Sequence, residues 1–467
     1  MVVINHYSRS LILSIVLILF LVHHINGQDF ISDINNPDKK YGFGHRVIYE
    51  MNVGSFTKEG TFDAASEKLS DLKSLGIDVI WLMPIYKRDG GLNSPYAASD
   101  FRTPNPSYGK ISNLKSFVSK AHKLNMEVWL DWVPNHTASN HPWLKEHPEY
   151  YAKELHPFYS DVSQLNYENS DLRKEMTDTL KYWIDEADID GYRCDFISSP
   201  YIPNDYWLEA IPELKKYKEG KTITMLGESD FTDATRLFGT GWDYDYAWWF
   251  QETALWKTMG DTSHAANLKK VCDQLVNDKR YSELDRMVYL TNHDVNFNHN
   301  VKLSSMYGDN KYSFTVLIFT LYGMPLVYNG QEIGGEDILN YFSDSKVNWN
   351  NHDSKMYNTI RTLTAMKHTI NAFKDGKDMD ERGSVKWIES NNSVAAYIRK
   401  NGKSEALVVL NLGNKIDITL SGVTEGSYTQ WLDSKTIADG VSQKKVDLST
   451  KPTISLEKRG YAVYVLN

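Results

Sequence analysis

Eight short, β-rich apolar runs alternate with stretches of helical periodicity between residues 47 and 328, and no other feature limits the fold so strongly. The runs are Val47–Asn52, Val79–Pro84, Glu127–Val133, Gly191–Asp195, Thr222–Glu228, Tyr244–Trp248, Val288–His293 and Met324–Tyr328. A helix between two strands carries the chain back to the end where it started, so successive strands pair in parallel. Eight such units close into an α/β fold, a (β/α)8 TIM barrel. The helices carry signals of their own. Over Asp63–Leu75, the residues Ala64, Leu69, Leu72 and Leu75 fall near helical spacing, and Gly76 reads as the stop. The interval Pro134–Asp190 holds one evident helix, Leu172–Glu186, which leaves a short inserted loop domain after strand 3, about 135–168. Long loops on a rigid scaffold usually carry function. Beyond Lys377 the pattern becomes short alternating strands, Val394–Arg399, Ala406–Leu412, Ile416–Leu420 and Ala462–Val465, broken at Asn401-Gly402 and Ser421-Gly422. This predicts a C-terminal antiparallel β-sandwich domain over 378–467, covering a flank of a barrel domain over 28–377.

The ends and the composition narrow the setting. Arg9, the apolar run Leu11–Val22 and the small Gly27 match a secretory signal over 1–27, and the run is shorter than the roughly 20 residues a membrane span needs. The expected destination is outside the cell or an endolysosomal lumen, with no stable membrane insertion after cleavage; an uncleaved anchor is the competing reading. Only Cys194 and Cys272 occur, one in a predicted strand and one in a predicted helix, so two buried free thiols are expected and stability must come from a core. The formal charge of −9 argues against nucleic acid or an anionic membrane as partner, since both demand clustered Lys and Arg. A monomer acting on a neutral polymer fits. The 13 Trp and 29 Tyr offer apolar faces with polar edges suited to sugars, although most of them will be core.

In parallel barrels the reactive groups sit at the C-terminal strand ends. Here strand 3 ends in Asp131-Trp-Val-Pro-Asn-His136, strand 4 is Gly191-Tyr-Arg-Cys-Asp195, strand 5 ends in Leu226-Gly-Glu228 and strand 7 in Thr291-Asn-His-Asp294. Any one acid after a strand reads first as a helix N-cap. Four such segments in this order resemble the signature regions of the α-amylase superfamily (glycoside hydrolase family 13). Further matches are Gly76–Pro84, Ser94–Phe101 and Gly323–Glu332, so the resemblance spans nearly all of the chain beyond the signal. It implies Asp195 as nucleophile, Glu228 as general acid/base and Asp294 as the third carboxylate, stabilising the transition state. It implies Arg193 as hydrogen-bond partner of the nucleophile, His136 and His293 as the pair holding the sugar, and Tyr96 as the stacking platform. Elementary chemistry agrees. Retaining hydrolysis needs two carboxyl groups about 5 to 5.5 Å apart, which the ends of adjacent strands 4 and 5 supply. Arg193, two residues before Asp195, points to the same side of the strand and keeps the nucleophile ionised.

The implied activity is hydrolysis of α-1,4-glucosidic bonds in starch, glycogen or maltooligosaccharides through a covalent glycosyl-enzyme intermediate. Alternatives within the superfamily are an exo-acting α-glucosidase, a cyclomaltodextrin or pullulan hydrolase, and a transglycosylase. A catalytically silent, membrane-anchored subunit would have lost the three carboxylates, which this chain retains. No cofactor is required for the chemistry. Many relatives carry Lys-His after the nucleophile where this chain has Ser198-Ser199, and an aspartate where it has Gln164; among the expected side-chain ligands of the family's calcium only Asn135 clearly remains, so no tightly bound calcium and no metal ligand is expected. The aromatic-rich stretch His141–Tyr151, with Trp143, reads as a packed loop, with a lining for sugar subsites as the other reading. Of two sequons, Asn135-His-Thr is expected to be buried, and Asn391-Asn-Ser, at a turn, is the better glycosylation site.

Overall fold

The computed structural model describes residues 42–467 apart from 89–93, 154–160, 230–236, 238, 257–263, 278–283, 377–381, 392 and 441–442. The predicted signal segment and the predicted domain junction at 377 and 378 therefore lie outside the described residues. Eight parallel strands close into a barrel: β1 (Ile48–Met51), β2 (Val79–Leu82), β3 (Glu127–Trp132), β4 (Gly191–Cys194), β5 (Thr224–Gly227), β6 (Tyr244–Tyr246), β7 (Asp285–Val288) and β8 (Met324–Tyr328). Each pairs with its sequence neighbours, and β8 closes on β1 with Ile48 opposite Leu326.

The strands are buried along their whole length, so the ladders must satisfy every backbone group, including those at the barrel's lower rim. Aspartates do part of this. Asp78, Asp190 and Asp243 stand just before β2, β4 and β6, and their carboxylates accept the N–H of Val47, Val128 and Met225 at 3.0, 2.8 and 2.8 Å. Basic side chains flank each of them: Lys73 and His368 at Asp78, His122 and Lys221 at Asp190, Lys215 at Asp243. Hydrogen bonds to charged groups contribute about 1.5–3 kcal/mol each, so this rim is pinned at three alternate strands.

Two elements depart from the sequence expectation. The seventh strand runs over Asp285–Val288 rather than Val288–His293. Its first residues are charged yet buried, while Tyr289 and Leu290 stay buried beyond the end of the ladder, so hydropathy alone shifts the strand toward its apolar end. The helix predicted over Asp63–Leu75 is two helices, Phe62–Ser66 and Leu69–Leu75, and Gly76 closes the second at φ +100°. The helix expected over Leu172–Glu186 spans Ser170–Ala187, capped by the Asn169 side chain.

After β3 the chain forms a small antiparallel pair, His136–Ala138 with Val162–Gln164, enclosing a short helix, Trp143–Glu146. Trp143 packs against Phe101, His141 and Tyr150, as a packed loop requires. The C-terminal domain begins with β9 (Ser384–Ile388), β10 (Val394–Asn401), β11 (Ser404–Asn411), β12 (Ile416–Thr419) and β13 (Gly426–Asp433). It continues with β14 (Lys444–Leu448), β15 (Thr453–Leu456) and β16 (Tyr461–Leu466). Six strands form an antiparallel sheet in the order β9-β10-β11-β16-β13-β14, and β12 pairs with β15. One face of the sheet, with Tyr397, Val408 and Tyr461, joins the barrel core, and the other, with Ile398, Leu407 and Val409, packs on Ile418 and Ile454 of the small pair. Tyr397 and Tyr461 meet Thr320 and Thr359 of the barrel's last helices through hydroxyl contacts of 2.6 and 2.7 Å. Cys194 and Cys272 are both free and buried. No helix of the described residues is long and apolar enough to cross a membrane.

Candidate active site

The upper rim of the barrel gathers charge around one side chain. Arg193, near the end of β4, is 0% exposed, an expensive position for a cation unless carboxylates surround it. Its Nη1 lies 2.9 Å from Asp131 Oδ1 at the end of β3 and 2.9 Å from Asp195 Oδ1 just past β4. Its Nη2 lies 2.8 Å from Glu228 Oε2 just past β5, an ion pair rather than an aligned hydrogen bond. Nε donates to the Tyr246 hydroxyl at 3.0 Å, and the rings of Trp81, Tyr96 and Tyr246 stand 5.1, 5.8 and 5.3 Å from the guanidinium carbon.

One guanidinium therefore grips both Asp195 and Glu228 and holds the two carboxyl groups side by side. Backbone fixes the same atoms. Glu228 N–H donates to Cys194 O at 2.9 Å, and Phe196 N–H donates to Glu228 Oε2 at 3.0 Å. Phe196 makes that contact from φ +42°, a costly backbone conformation for a bulky residue. A Cβ at Gly227, beside Glu228, would sit 2.5 Å from Ile197 Cδ1, so a larger residue there would have to displace the end of that side chain.

Burial separates the protonation states. It pushes Glu228 up to about 7, against the pull of Arg193 and with the push of Asp195 and Asp294. Burial lifts Asp131 to about 6, again opposed by Arg193. Asp195 is also raised by burial, while Arg193 works to lower it. A carboxylic acid and a carboxylate can thus coexist near neutral pH in adjacent positions.

Across the mouth, His293 and Asp294 open a short helix after β7, capped by Asn292. His293 Nδ1 lies 2.5 Å from Glu50 Oε1 of β1, and its Nε2 lies 2.7 Å from the Tyr96 hydroxyl and 3.3 Å from Asp294 Oδ2. Tyr96 stacks on the imidazole with centroids 5.4 Å apart and donates to Asp131 Oδ2 at 3.1 Å. Asp294 accepts from Asn298 Nδ2 at 2.9 Å. The structure thus links Tyr96, Arg193, Asp195, Glu228, His293 and Asp294 through direct contacts. His136 is placed on the hairpin that follows β3, with Nδ1 3.1 Å from the Asn135 amide nitrogen. Sequence reasoning assigned no role to Glu50, Trp81 or Tyr246, and quoted Asp131 only within a motif. An acid inside the apolar run Val47–Asn52 was the signal available for Glu50.

Below the hairpin, Asn135 Oδ1 accepts from Ser199 Oγ at 2.5 Å and from Gln164 Nε2 at 3.1 Å. Gln164 Nε2 also reaches Asn135 O at 2.7 Å and Leu165 O at 3.2 Å, so three acceptors fix which end of this amide is nitrogen. Among the described residues no group of three or more His, Cys, Asp or Glu is arranged to hold a metal ion.

Comparison with known proteins places this geometry. The family description "Alpha amylase, catalytic domain" matches residues 33–154 and 145–412, and "Alpha amylase, C-terminal all-beta domain" matches 387–467. Alpha-amylase 3 of Dictyoglomus thermophilum is 26% identical over 389 residues, covering 70% of either chain. Malto-oligosyltrehalose trehalohydrolase of Saccharolobus solfataricus is 28% identical over 340 residues, 64% of this chain and 58% of the relative. The crystal structure of a maltogenic alpha-amylase, AmyB, from Thermotoga neapolitana superposes with a TM-score of 0.76 at 24% identity, covering 91% of this chain and 99% of that one. With a closed parallel barrel, a C-terminal all-β domain and family matches over both, the chain belongs to the α-amylase superfamily of glycosidases, glycoside hydrolase family 13.

Proposed function

We propose that the protein is a retaining glycosidase that opens α-1,4-glucosidic bonds of starch, glycogen or maltooligosaccharides. The observation that carries this reading is the single buried guanidinium gripping Asp195 and Glu228 while burial lifts Glu228 to about 7. Asp195, ionised against Arg193, attacks the anomeric carbon as Glu228 gives its proton to the leaving oxygen; a covalent glycosyl ester forms and the shortened chain departs. Glu228, now a carboxylate, takes a proton from water, which attacks the anomeric carbon and restores Asp195. Asp294 faces the positive charge that develops on the sugar ring and stabilises it without forming a bond. Tyr96 offers its ring to the sugar, and His293 and His136 offer hydrogen bonds to its hydroxyls.

A chain substrate has support of its own. Phe196, 38% exposed, follows β4, and Phe342, 39% exposed and stacked on Tyr341 at 4.9 Å, follows β8. Strands 4 and 8 lie four places apart in an eight-stranded barrel and so face each other across its mouth. Open aromatic faces on both sides of the reacting carboxyls suit a glucan lying across the rim. The test is the time course of products from a defined linear maltooligosaccharide. Early intermediate-length products are expected. Glucose alone from the first minutes would mean exo-cleavage, longer oligomers transfer, and no product would overturn the reading.

The calcium common in this superfamily does not fit the residues present. Where a cation would need oxygens, Gln164 turns N–H groups toward Asn135, and Asn135 Oδ1 already accepts two hydrogen bonds. A chelator is therefore expected to leave Tm unchanged. A resident cation at 100 times its Kd would contribute about 2.7 kcal/mol. A chelator-induced fall of several degrees, restored by calcium, would overturn this expectation.

A further inference from the structure

Glu50 is a buried acid that the proposed mechanism does not use. It is 0% exposed in the middle of β1, pairs in register between Trp81 of β2 and Tyr328 of β8, and its one close polar partner among the described contacts is His293. We propose that Glu50 is a positioning residue for the hydrolytic site, holding His293 as a doubly protonated imidazolium in a fixed orientation against Tyr96 and Asp294.

Counting protons carries the argument. The Tyr96 hydroxyl has one proton, and its contact with the Asp131 carboxylate at 3.1 Å uses it. The 2.7 Å bond between Tyr96 and His293 Nε2 then requires the proton on the histidine. The other ring nitrogen, Nδ1, lies 2.5 Å from Glu50 Oε1; burial raises this carboxyl and His293 pulls it back down, and as the carboxylate it can only accept. Both nitrogens therefore donate, and the ring is a cation. The backbone N–H of His293 also reaches Glu50 Oε1, at 3.4 Å, so the carboxylate holds the start of the helix as well as the ring.

The charged and titratable groups around the ring agree. Glu50 faces it from β1, Asp294 from its own helix, Tyr96 from the loop after β2, Asp131 from β3, and Arg193 from β4, with Trp81 and Tyr341 as ring neighbours. Burial works against the cation, but Asp294 and Glu50 together overcome it and push the imidazole up to about 9, with Arg193 opposing them. The consequence for chemistry is a second fixed positive charge near Asp294. That charge lies 3.3 Å from Asp294 Oδ2 and offsets the crowding of Asp294 by the carboxyl groups of Asp195 and Glu228.

The inference rests on the proposed hydrolysis for its meaning, but its first test does not. Histidine-selective 15N labelling of the full chain, with His293→Gln to assign the resonance, reads the ring's titration directly. In the unmodified protein His293 is expected to stay an imidazolium through pH 8. Glu50→Gln keeps an acceptor for Nδ1 but removes the charge, and should lower the midpoint by about one to three units. On a maltooligosaccharide it should lower kcat about tenfold or more, the loss of about 1.4 kcal/mol of transition-state stabilisation. Glu50→Asp, which keeps the charge, should fall between the two in both measurements and serves in its place should Glu50→Gln not fold. A neutral His293 at pH 7, a midpoint unmoved by Glu50→Gln, or a moved midpoint with unchanged kcat would each overturn the inference. An unmodified protein inactive on glucans would instead overturn the proposed function.

Discussion

Glu228→Gln is expected to lower kcat on a linear maltooligosaccharide by about 10²–10⁴-fold, the range for losing a positioned general acid, with Tm nearly unchanged. Glutamine keeps the volume and can still accept from the Phe196 N–H, which now fixes Oε2 at 3.0 Å, but it has no proton to give. The pH profile is the sharper test. Activity needs Asp195 ionised and Glu228 protonated, so kcat/KM should rise as pH passes the value of Asp195 and fall as it passes about 7, where burial has placed Glu228. These are properties of a coupled pair, and the profile reports the pair. Glu228→Gln should erase the basic limb. An aryl glycoside with a good leaving group needs little protonation, so its glycosylation step should suffer much less than that of the natural glucan. A variant that keeps more than a few per cent of its activity on maltooligosaccharide, or keeps the basic limb, would remove Glu228 from the role proposed for it.

The barrel was legible in the sequence because its strands are buried on both faces and therefore read as unbroken apolar runs between amphipathic helices. The exception teaches the same lesson. β7 opens with Asp285 and Arg286, and charged residues carry no strand signal even when the fold buries them at the barrel's base. The break between the helices Phe62–Ser66 and Leu69–Leu75 was hidden for a related reason, since the apolar spacing continues across it.

The site divides along similar lines. Asp195, Glu228 and Asp294 stand just past strand ends, where a carboxylate is conspicuous, and Arg193 announces itself as a charge inside a strand. Glu50 announces itself in the same way, but its partner is 243 residues away, and nothing local to either residue points to the other. The three aspartates of the lower rim were equally silent. Asp78, Asp190 and Asp243 look like ordinary surface acids before a strand until the neighbouring strand's N–H groups are seen to end on them. The order of the proton affinities was only partly legible. Sequence reasoning placed Asp195, ionised against Arg193, beside a general acid/base at Glu228, whereas the structure adds that the same guanidinium serves both and Asp131 as well.

That sharing makes Arg193 the residue whose loss should cost the fold most within the site. Arg193→Met fills a similar volume but leaves three carboxyl groups facing one another without the guanidinium that pairs with all of them, and unpairing a buried ion cluster costs about 3–5 kcal/mol. The pH dependence gives the cause away. In the variant the folded-state pKa values of Asp131, Asp195 and Glu228 lie above their unfolded values, so the protonated forms are favoured by folding and the penalty belongs to the ionised ones. The cost is then small below about pH 4, where unfolded carboxyls are also protonated, and grows as pH rises through the folded values. Those values are already about 6 and 7 for Asp131 and Glu228 with the guanidinium in place, and its removal moves them higher. Thermal unfolding of Arg193→Met should therefore approach that of the unmodified protein near pH 4 and fall several degrees below it at pH 7.5. Hydrolysis should be lost by at least about 10³-fold, because Asp195 is no longer held ionised when Glu228 is protonated. Arg193→Lys keeps the charge, but one ammonium cannot span three carboxylates, so stability should recover more than activity. A deficit in Tm that is the same at both pH values would mean that Arg193 supports the barrel by packing against Trp81 and Tyr246, and not by setting the charges of the carboxyl groups around it.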